Sequence, residues 1–322
     1  MTTLFLKRTG GGLNNQKMIL LALIIEAIEQ QSSITLPHFI NFLAKKDTST
    51  LSKKIYYSLI YKNFQRNIPI FDIFDRDSFF TFLRKYNVKV RNYHLFRFVS
   101  KRCNPSDLFF KGEAIINEFI DNEDYKYREL IIDFFKYLIP SAEMEKKINY
   151  FIAQSEPYDA VCQLRIESDW PLGIEDSWKN KSSTVASSPL ERCRNIFIKI
   201  KNTLPDIGTM YVTYDKSAIT CSFEEIVNLA QEEFSFRLKE KKSSAGEAMH
   251  PKNSLEASVV DFEIAVHKDI FIGTNISTFT LLSSITRVCR GLSDQNHRYL
   301  YNIPGDLLVL DKKIIPSVNK IR

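Results

Sequence analysis

The spacing of apolar and polar positions over the first thirty residues predicts a strand, a loop and a helix. Leu4–Leu6 form a short apolar stretch, and the apolar positions of Met18–Gln30 are typical of a buried helix. Between them, Gly10–Gln16 contains three consecutive glycines and predicts a tight loop. This order places backbone N–H groups at a helix N-terminus, where they can hold an anion or a sugar oxygen.

The middle of the chain is rich in predicted helices and contains a boundary between two domains. Phe71–Asp75 precedes one predicted helix, and Glu143–Gln154 forms another. Ser155–Pro157 then interrupts the helical pattern. Because the chain of 322 residues is about twice the length of a typical domain, we predict an N-terminal domain over 1–153 and a C-terminal domain over 154–322.

Strands and helices alternate along the second half of the chain. Ser188 with Glu191, and Ser222 with Glu225, have the spacing of helix capping boxes, and Pro189 stands at a first helical position. Repeated strand–helix order is typical of a parallel sheet flanked by helices, so the predicted fold class is α/β. The other elements predicted here are strands over 160–166, 210–214 and 270–272 and helices over 259–266 and 279–290.

Composition adds an aromatic core and a class of ligand to this picture. With 24 Phe and 14 Tyr, much of the core is expected to be aromatic. The formal net charge of +6 suits a small acidic ligand such as a nucleotide diphosphate. The basic residues are too few and too dispersed to predict a nucleic-acid partner.

The cysteines and the apolar runs indicate a cellular compartment. The five cysteines are scattered, form no CxxC and have no histidine at metal-ligand spacing, so we expect reduced thiols and no metal site. Met18–Ile25 is the most apolar run, and its eight residues are far fewer than the roughly 20 that span a bilayer. No cleavage pattern of a signal peptide follows it. We therefore expect a cytoplasmic protein without a transmembrane segment.

Three segments carry residue types suited to binding a phosphorylated ligand. The first is the glycine loop Gly10–Gln16. In the second, Arg165 follows a predicted buried strand and Asp169 comes four residues later. A guanidinium there can hold two phosphate oxygens with its planar set of donors. The third, Asp261–Thr280, predicts a helix, a strand and a hydroxyl-rich turn into a helix, an arrangement that binds a diphosphate on backbone amides and hydroxyls.

Each segment also has an ordinary structural interpretation. The glycines can form a simple turn, and Arg165 and Asp169 can pair only with each other. Ser277 and Thr278 can serve only to cap a helix. Taken one at a time, the segments leave these alternatives open.

Taken together, the segments resemble the motifs of the protein O-fucosyltransferase superfamily, which includes bacterial sugar-modifying fucosyltransferases. Gly11–Gln16 is similar to its N-terminal glycine–asparagine motif, and Phe71–Asp75 resembles a segment that precedes a helix in its first domain. Gln163–Ile166 followed by Ser168–Trp170 resembles its His-Leu-Arg…Asp motif. Asp261–Thr280 resembles its last motif over the whole span.

The resemblance implies a GT-B fold, in which two Rossmann-like domains face each other across a cleft. It implies an N-terminal domain on the acceptor side and a C-terminal domain that binds the nucleotide sugar. The implied reaction is an inverting transfer of fucose from GDP-fucose to a hydroxyl of a protein Ser or Thr or of a glycan, with no metal and no cofactor besides the donor substrate. The implied donor-binding residues are Gly11, Gly12, Asn14, Asn15, Gln163, Arg165, Asp169, Asp261, Ser277, Thr278 and Phe279.

The resemblance also implies a role for several of these residues. Arg165 is expected to hold the β-phosphate and stabilise the departing GDP, and Asp261 to contact guanine. The hydroxyls of Ser277 and Thr278 and the amide of Phe279 are expected to hold the diphosphate. The motif places an asparagine near the reacting sugar. Asn14 and Asn15 are the two candidates, and we prefer Asn15. Arg165 and Asn15 are therefore the predicted catalytic residues.

One position departs from the motif. The superfamily has His two residues before the Arg, and this chain has Gln163. Glutamine donates and accepts hydrogen bonds but does not titrate near neutral pH. Two alternatives therefore stay open: a GT-B enzyme that uses a different nucleotide sugar, and a relative that binds a nucleotide without catalysis.

Overall fold

A computed structural model describes residues 2–41, 67–91, 100–154, 157–166, 188–214, 219–241, 249–292 and 297–311. The chain divides into two compact units. Of the described residues, the first unit comprises those up to Asn149 together with 249–260, and the second comprises 150–241 and 261–311.

The described part of the first unit contains short strands and longer helices. Its strands are β1 (Thr3–Phe5), β2 (Ser33–Ile34), β3 (Phe39–Ile40), β4 (Asn67–Ile68) and β5 (Ser100–Arg102). Its helices are α1 (Leu13–Glu29), α2 (Ile70–Ile73), α3 (Arg76–Lys85), α4 (Pro105–Asp121), α5 (Arg128–Tyr137) and α6 (Ala142–Gln154), the last of which continues into the second unit. In this part of the chain, β2, β1 and β5 form a parallel sheet in that order, and β3 pairs with β4 in antiparallel orientation.

Helix α1 is the buried helix that the apolar run predicts. It begins at Leu13, earlier than expected, and every residue of Met18–Ile25 is buried. Gly112 of α4 lies where a Cβ atom would come within 2.6 Å of the Met18 carbonyl oxygen. The two helices therefore touch backbone to backbone, which only glycine allows. Among the described helices, none is long and apolar enough to cross a bilayer.

Aromatic rings fill much of the core of each unit, as the composition predicts. In the first unit, Phe82 and Phe134 meet edge to face with their ring centroids 5.8 Å apart. In the second unit, the centroids of Phe197 and Phe236 are 5.9 Å apart at a similar angle. All four rings are fully buried. Edge-to-face pairs of this kind add about 0.5–1.5 kcal/mol each to the burial of their area.

The second unit is built on a mostly parallel sheet. Its strands are β6 (Ala160–Gln163), β7 (Thr209–Thr213), β8 (Arg237–Lys239), β9 (Ile270–Gly273), β10 (His297–Leu300) and β11 (Val309–Leu310). The connecting helices are α7 (Pro189–Thr203), α8 (Phe223–Phe234), α9 (Ser254–His267) and α10 (Thr278–Cys289), and the residues of α9 up to Val260 belong to the first unit. The described strands follow the order β11–β10–β9–β6–β7–β8, and every neighbouring pair is parallel except β10 with β11. The predicted α/β class is confirmed.

The order of these strands reverses direction beside β6. The chain runs from β6 to β7 and β8 on one side, and then returns to place β9 and β10 on the other side. Counted from β6, this is the doubly wound order 3-2-1-4-5 of Rossmann sheets. In such sheets, ligands bind outside the carboxyl ends of the two strands where the order reverses. That position lies between β6 and β9.

The two faces of this sheet pack against different helices. Cys162, Met210 and Val212 are buried in one cluster with residues of α7 and α8. Because side chains alternate along a strand, Tyr211 and Phe271 point to the other face, where they contact residues of α9 and α10.

Two helix starts and one strand end allow a direct comparison with the sequence predictions. The capping box at Ser222 is complete, because its hydroxyl accepts from the Glu225 amide at 3.2 Å and its amide donates to the Glu225 carboxylate at 2.7 Å. At Ser188, the hydroxyl accepts from the Glu191 amide at 3.2 Å, which is one of the two bonds of the predicted capping box, and Pro189 stands at the first helical position. The predicted strand over 160–166 is shorter than expected and ends at Gln163. Its partner β7 also ends there, opposite Gln163.

Candidate functional site

The carboxyl ends of β6 and β9 bring together two of the three predicted segments. Gln163 is the last residue of β6 and Gly273 is the last residue of β9. The two strands are parallel neighbours, with Cys162 opposite Ile272. The segments that contain Arg165 and Ser277 therefore leave the sheet side by side, at the point where the strand order reverses.

Side chains of Thr280 and Tyr301 hold these two strand ends in place. The Thr280 hydroxyl donates to Oε1 of Gln163 at 2.9 Å, which connects the first turn of α10 to β6. The Tyr301 hydroxyl donates to the Gln163 carbonyl at 3.0 Å and accepts from the amide of Arg165 at 2.9 Å. The Tyr301 amide donates to the Gly273 carbonyl at 3.1 Å. Tyr301 thereby holds the backbone at Arg165, whose side chain is half-buried, to the ends of both β6 and β9.

Gly273 is required because α10 approaches β9 very closely. A Cβ atom at this position would lie 2.4 Å from the Thr280 hydroxyl oxygen and 2.8 Å from the Phe271 ring. Such an atom would push Thr280 away from Gln163. Glycine at the end of β9 is therefore a packing requirement of the candidate site.

We expect Gly273→Ala to destabilise the protein by about 1–3 kcal/mol, because an added methyl group overpacks a buried contact. Urea denaturation followed by far-UV circular dichroism measures this difference. Gly208→Ala is the matched control, since its nearest contact would be an ordinary 3.8 Å to the Asp159 carboxylate. Equal stability of the two variants would contradict the close approach of α10 to β9.

The N-terminus of α10 presents hydroxyl and amide groups at this edge. Ser277 occupies the N-cap position, but its side chain makes no capping hydrogen bond. Side-chain capping therefore does not account for this serine. Thr278 and Phe279 lie in the first turn, and the backbone amide groups at a helix N-terminus attract anions. The arrangement is suited to a phosphate group, as the sequence predicts for a hydroxyl-rich turn.

Two buried threonines at the same edge were not predicted as site residues. Thr213 ends β7 opposite Gln163, and Thr274 directly follows β9. Both are more than nine-tenths buried, and their hydroxyl oxygens find no hydrogen-bond partner among the described residues. A buried hydroxyl without a partner is costly, which favours a ligand or water at this edge. Thr213 could have been found from its place near the end of a predicted strand.

Asp261 belongs to a second cluster in the same unit. It lies on α9, where Oδ1 accepts from the Tyr211 hydroxyl at 2.9 Å and Oδ2 forms an ion pair with Lys241. Burial raises the pKa of Tyr211, and the nearby Asp261 carboxylate raises it further, so this hydroxyl stays protonated and donates. Tyr211 precedes Thr213 by two positions, so the two side chains lie on the same face of β7.

The glycine loop of the first unit is held by Gln16. Its side chain accepts from the Thr9 hydroxyl at 2.5 Å and from the Ile40 amide at 2.6 Å. The same side chain donates to the carbonyls of Gly11 at 3.0 Å and Ile40 at 2.9 Å. With four hydrogen bonds inside the unit, Gln16 is a structural residue that fixes the loop.

The predicted loop residues differ in how their side chains are placed. Gly11 has a φ of 74°, and a Cβ atom there would lie 2.7 Å from the Asn15 amide nitrogen, so only glycine fits. Gly12 is the exposed N-cap residue of α1. Asn14 is buried, and its Oδ1 has no hydrogen-bond partner among the described residues. Asn15 is half-buried with its side chain against Gly11.

The predicted site residues thus fall into three groups. Gln163, Arg165 and Ser277–Phe279 lie on the segments at the ends of β6 and β9. Asp261 lies in the neighbouring cluster of the second unit, and the glycine-loop residues belong to the first unit. Asp169 lies outside the described residues, so its predicted pairing or phosphate contact stays a prediction. Tyr301 was missed because it matches no motif and lies 136 residues from Arg165.

The fold is similar to that of solved structures, although no family model and no curated protein sequence matches the chain. A crystal structure of POFUT1 in complex with GDP-fucose superposes with a TM-score of 0.54 at 14% identity, covering 94% of this chain and 98% of that chain. A structure of POFUT1 in complex with GDP gives a TM-score of 0.50 at 13% identity, covering 92% and 96%. The resemblance predicted from the motifs is therefore confirmed at the level of the fold.

Proposed function

We propose that this protein is an inverting, metal-independent glycosyltransferase that moves fucose from GDP-fucose to a hydroxyl of a protein Ser or Thr or of a glycan. The observation that carries the proposal is the meeting of the Arg165 and Ser277 segments at the carboxyl ends of β6 and β9. This is where a doubly wound sheet binds a nucleotide, and the motif residues for a diphosphate coincide with it. The fold shared with POFUT1, which has been crystallised with GDP-fucose, supports the same assignment.

Under this proposal, Arg165 acts on the leaving group. Sugar transfer passes through an oxocarbenium-like state, so negative charge develops on the departing diphosphate as the glycosidic bond stretches. A fixed cation at that position stabilises the transition state more than the ground state, which raises the rate. The N-terminus of α10 adds its backbone amides and the Ser277 hydroxyl to the same charge.

The remaining assignments of the proposal follow the motif resemblance. The two units correspond to the domains of a GT-B fold, with the donor bound by the C-terminal domain and the acceptor side in the N-terminal domain. Asn15 is assigned to the region of the reacting sugar, where the loop fixed by Gln16 can hold it steady. The buried Oδ1 of Asn14 favours a contact between that residue and a ligand group or water.

Binding of nucleotides measured by calorimetry without added metal tests the proposal. We expect GDP and GDP-fucose to bind in preference to UDP-glucose. Comparing the affinity of GDP-fucose with that of GDP-mannose tests which sugar the site prefers. Arg165→Ala should weaken binding of the diphosphate, because a charge-assisted contact is lost. A preference for UDP-glucose, or no binding of any nucleotide, would overturn the assignment of the donor.

A donor-hydrolysis assay distinguishes an enzyme from a binding protein. Gln163 in place of the motif histidine is the observation that favours a relative without turnover. Such a protein would bind GDP and release no fucose from GDP-fucose, with or without acceptor candidates. An enzyme would release fucose slowly even when the acceptor is water.

A further inference from the structure

Tyr211, Lys241 and Asp261 form a polar cluster that joins β7, the segment after β8 and α9. The Asp261 carboxylate is held at Oδ1 by the buried Tyr211 hydroxyl, which fixes its orientation. Lys241 pairs with Oδ2 from the segment after β8. The side chains of Lys241 and Asp261 keep 23% and 17% of their surface exposed. The pair is therefore ordered and partly exposed to solvent.

We propose that Lys241 is a specificity-determining residue that donates to O6 of guanine while Asp261 accepts from the N1 and N2 groups of the same base. The inference rests on the proposed function, in which the donor is a guanosine diphosphate sugar and Asp261 contacts the base. An ammonium group has three N–H donors, so Lys241 can hold Asp261 and a base oxygen at the same time. Each carboxylate oxygen can accept more than one hydrogen bond, so Tyr211 and Lys241 leave room for the base.

The Lys241 ammonium and the Asp261 carboxylate face the base in an order that favours guanine over adenine and uracil. Guanine presents an acceptor, a donor and a donor along this edge, which match the ammonium and the carboxylate in turn. Adenine would place its amino group against Lys241 and an acceptor nitrogen against Asp261, so both contacts would be repulsive. Uracil would place its second carbonyl against the carboxylate. A wrong base leaves the charged groups of the pocket without partners. This lowers its affinity more than the loss of one favourable contact would.

Two analogues of GDP separate the contributions of the two side chains. In 6-thio-GDP, sulfur replaces O6 and is a weak acceptor, while the N1 and N2 donors are kept. IDP keeps O6 and N1–H and lacks the N2 amino group. We expect the wild type to bind GDP about tenfold or more tightly than 6-thio-GDP in calorimetry, as befits a hydrogen bond from a charged donor.

The variants then test which residue reads which atom. In Lys241→Met, the ratio of GDP to 6-thio-GDP affinity should fall toward one, while the ratio of GDP to IDP affinity stays near its wild-type value. Asp261→Asn should lower the GDP to IDP ratio instead. Lys241→Gln, which keeps a neutral donor, should give an intermediate ratio for 6-thio-GDP. Lys201→Met removes the same charge from α7, on the other face of the sheet, and should change neither ratio.

The possible outcomes separate this inference from the function on which it rests. Normal GDP binding with an unchanged GDP to 6-thio-GDP ratio in both Lys241 variants would overturn the role of Lys241 and leave the donor assignment intact. Failure of the wild type to bind GDP would overturn the proposed function. A lowered ratio in Lys241→Met, with the circular dichroism spectrum of the wild type, supports the inference.

Discussion

Replacing Arg165 by alanine should lower the rate of fucosyl transfer at least about 100-fold, which corresponds to roughly 3 kcal/mol of transition-state stabilisation. Without a divalent metal in the proposed reaction, the guanidinium must offset much of the charge that develops on the departing GDP. Steady-state kinetics with GDP-fucose and an acceptor, or donor hydrolysis when no acceptor is known, measures the effect. The loss should fall mainly on kcat, because the charge develops as the bond breaks.

Two further substitutions serve as controls for this result. Arg165→Lys keeps the charge but loses the planar pair of donors, so its activity should lie between that of Arg165→Ala and the wild type. Arg194→Ala removes an exposed arginine of α7 that pairs with Glu233, and it should leave transfer unchanged. Near-normal transfer by Arg165→Ala, with intact folding by circular dichroism, would rule out the assignment of Arg165 to the leaving group.

Replacing Lys147 by methionine should destabilise the protein by about 3–5 kcal/mol, the largest effect on stability that we expect from one substitution. Lys147 and Glu256 form a buried ion pair at 2.6 Å in the first unit, and their side chains are only 2% and 9% exposed. Methionine fills the space of the lysine stem but leaves the Glu256 carboxylate buried without its cation. The free energy of unfolding in urea, followed by far-UV circular dichroism, gives the difference.

The double variant Lys147→Met, Glu256→Gln tests the physical reason for this loss. Glutamine removes the buried charge and keeps a carbonyl oxygen for the Lys252 amide, which donates to Glu256 at 2.9 Å. The double variant should therefore recover much of the stability that Lys147→Met loses. Lys252→Met, which breaks an exposed pair with Glu143, should cost at most about 1 kcal/mol. A double variant no more stable than Lys147→Met would show that packing, and not charge, causes the loss.

Local patterns in the sequence predicted the helices of the second unit and its strands β6, β7 and β9, but not the described strands β8, β10 and β11. The capping box of Ser222 with Glu225 and the cap at Ser188 involve residues three positions apart, so spacing alone reveals them. Alternating strands and helices also allowed the parallel sheet to be predicted, because parallel strands require long crossover connections. The predicted strand over 160–166 extended past the actual end of β6 at Gln163. β6 ends opposite the end of its neighbour β7, and a local sequence pattern does not show which strands are neighbours.

The contacts that organise the candidate site could not be predicted in the same way. Thr280 and Gln163 are 117 residues apart, and Tyr301 lies still further from Gln163 along the chain. Lys241 is one of many lysines in the sequence, and nothing in its local pattern distinguishes it from a solvated surface residue. The pairing of Lys147 with Glu256 spans 109 residues and places part of the second half of the sequence in the first unit.

The sequence by itself determined the α/β class, the aromatic core and the segments whose residue types suit a phosphorylated ligand, because these depend on composition and on neighbours a few positions apart. Only the tertiary structure decided that β6 and β9 are adjacent where the strand order reverses, and that Gln16 is a structural residue. It also decided that Asp261 is held between Tyr211 and Lys241. These features depend on which distant strands and helices pack together, and that choice is made by burial and hydrogen bonding over the whole chain.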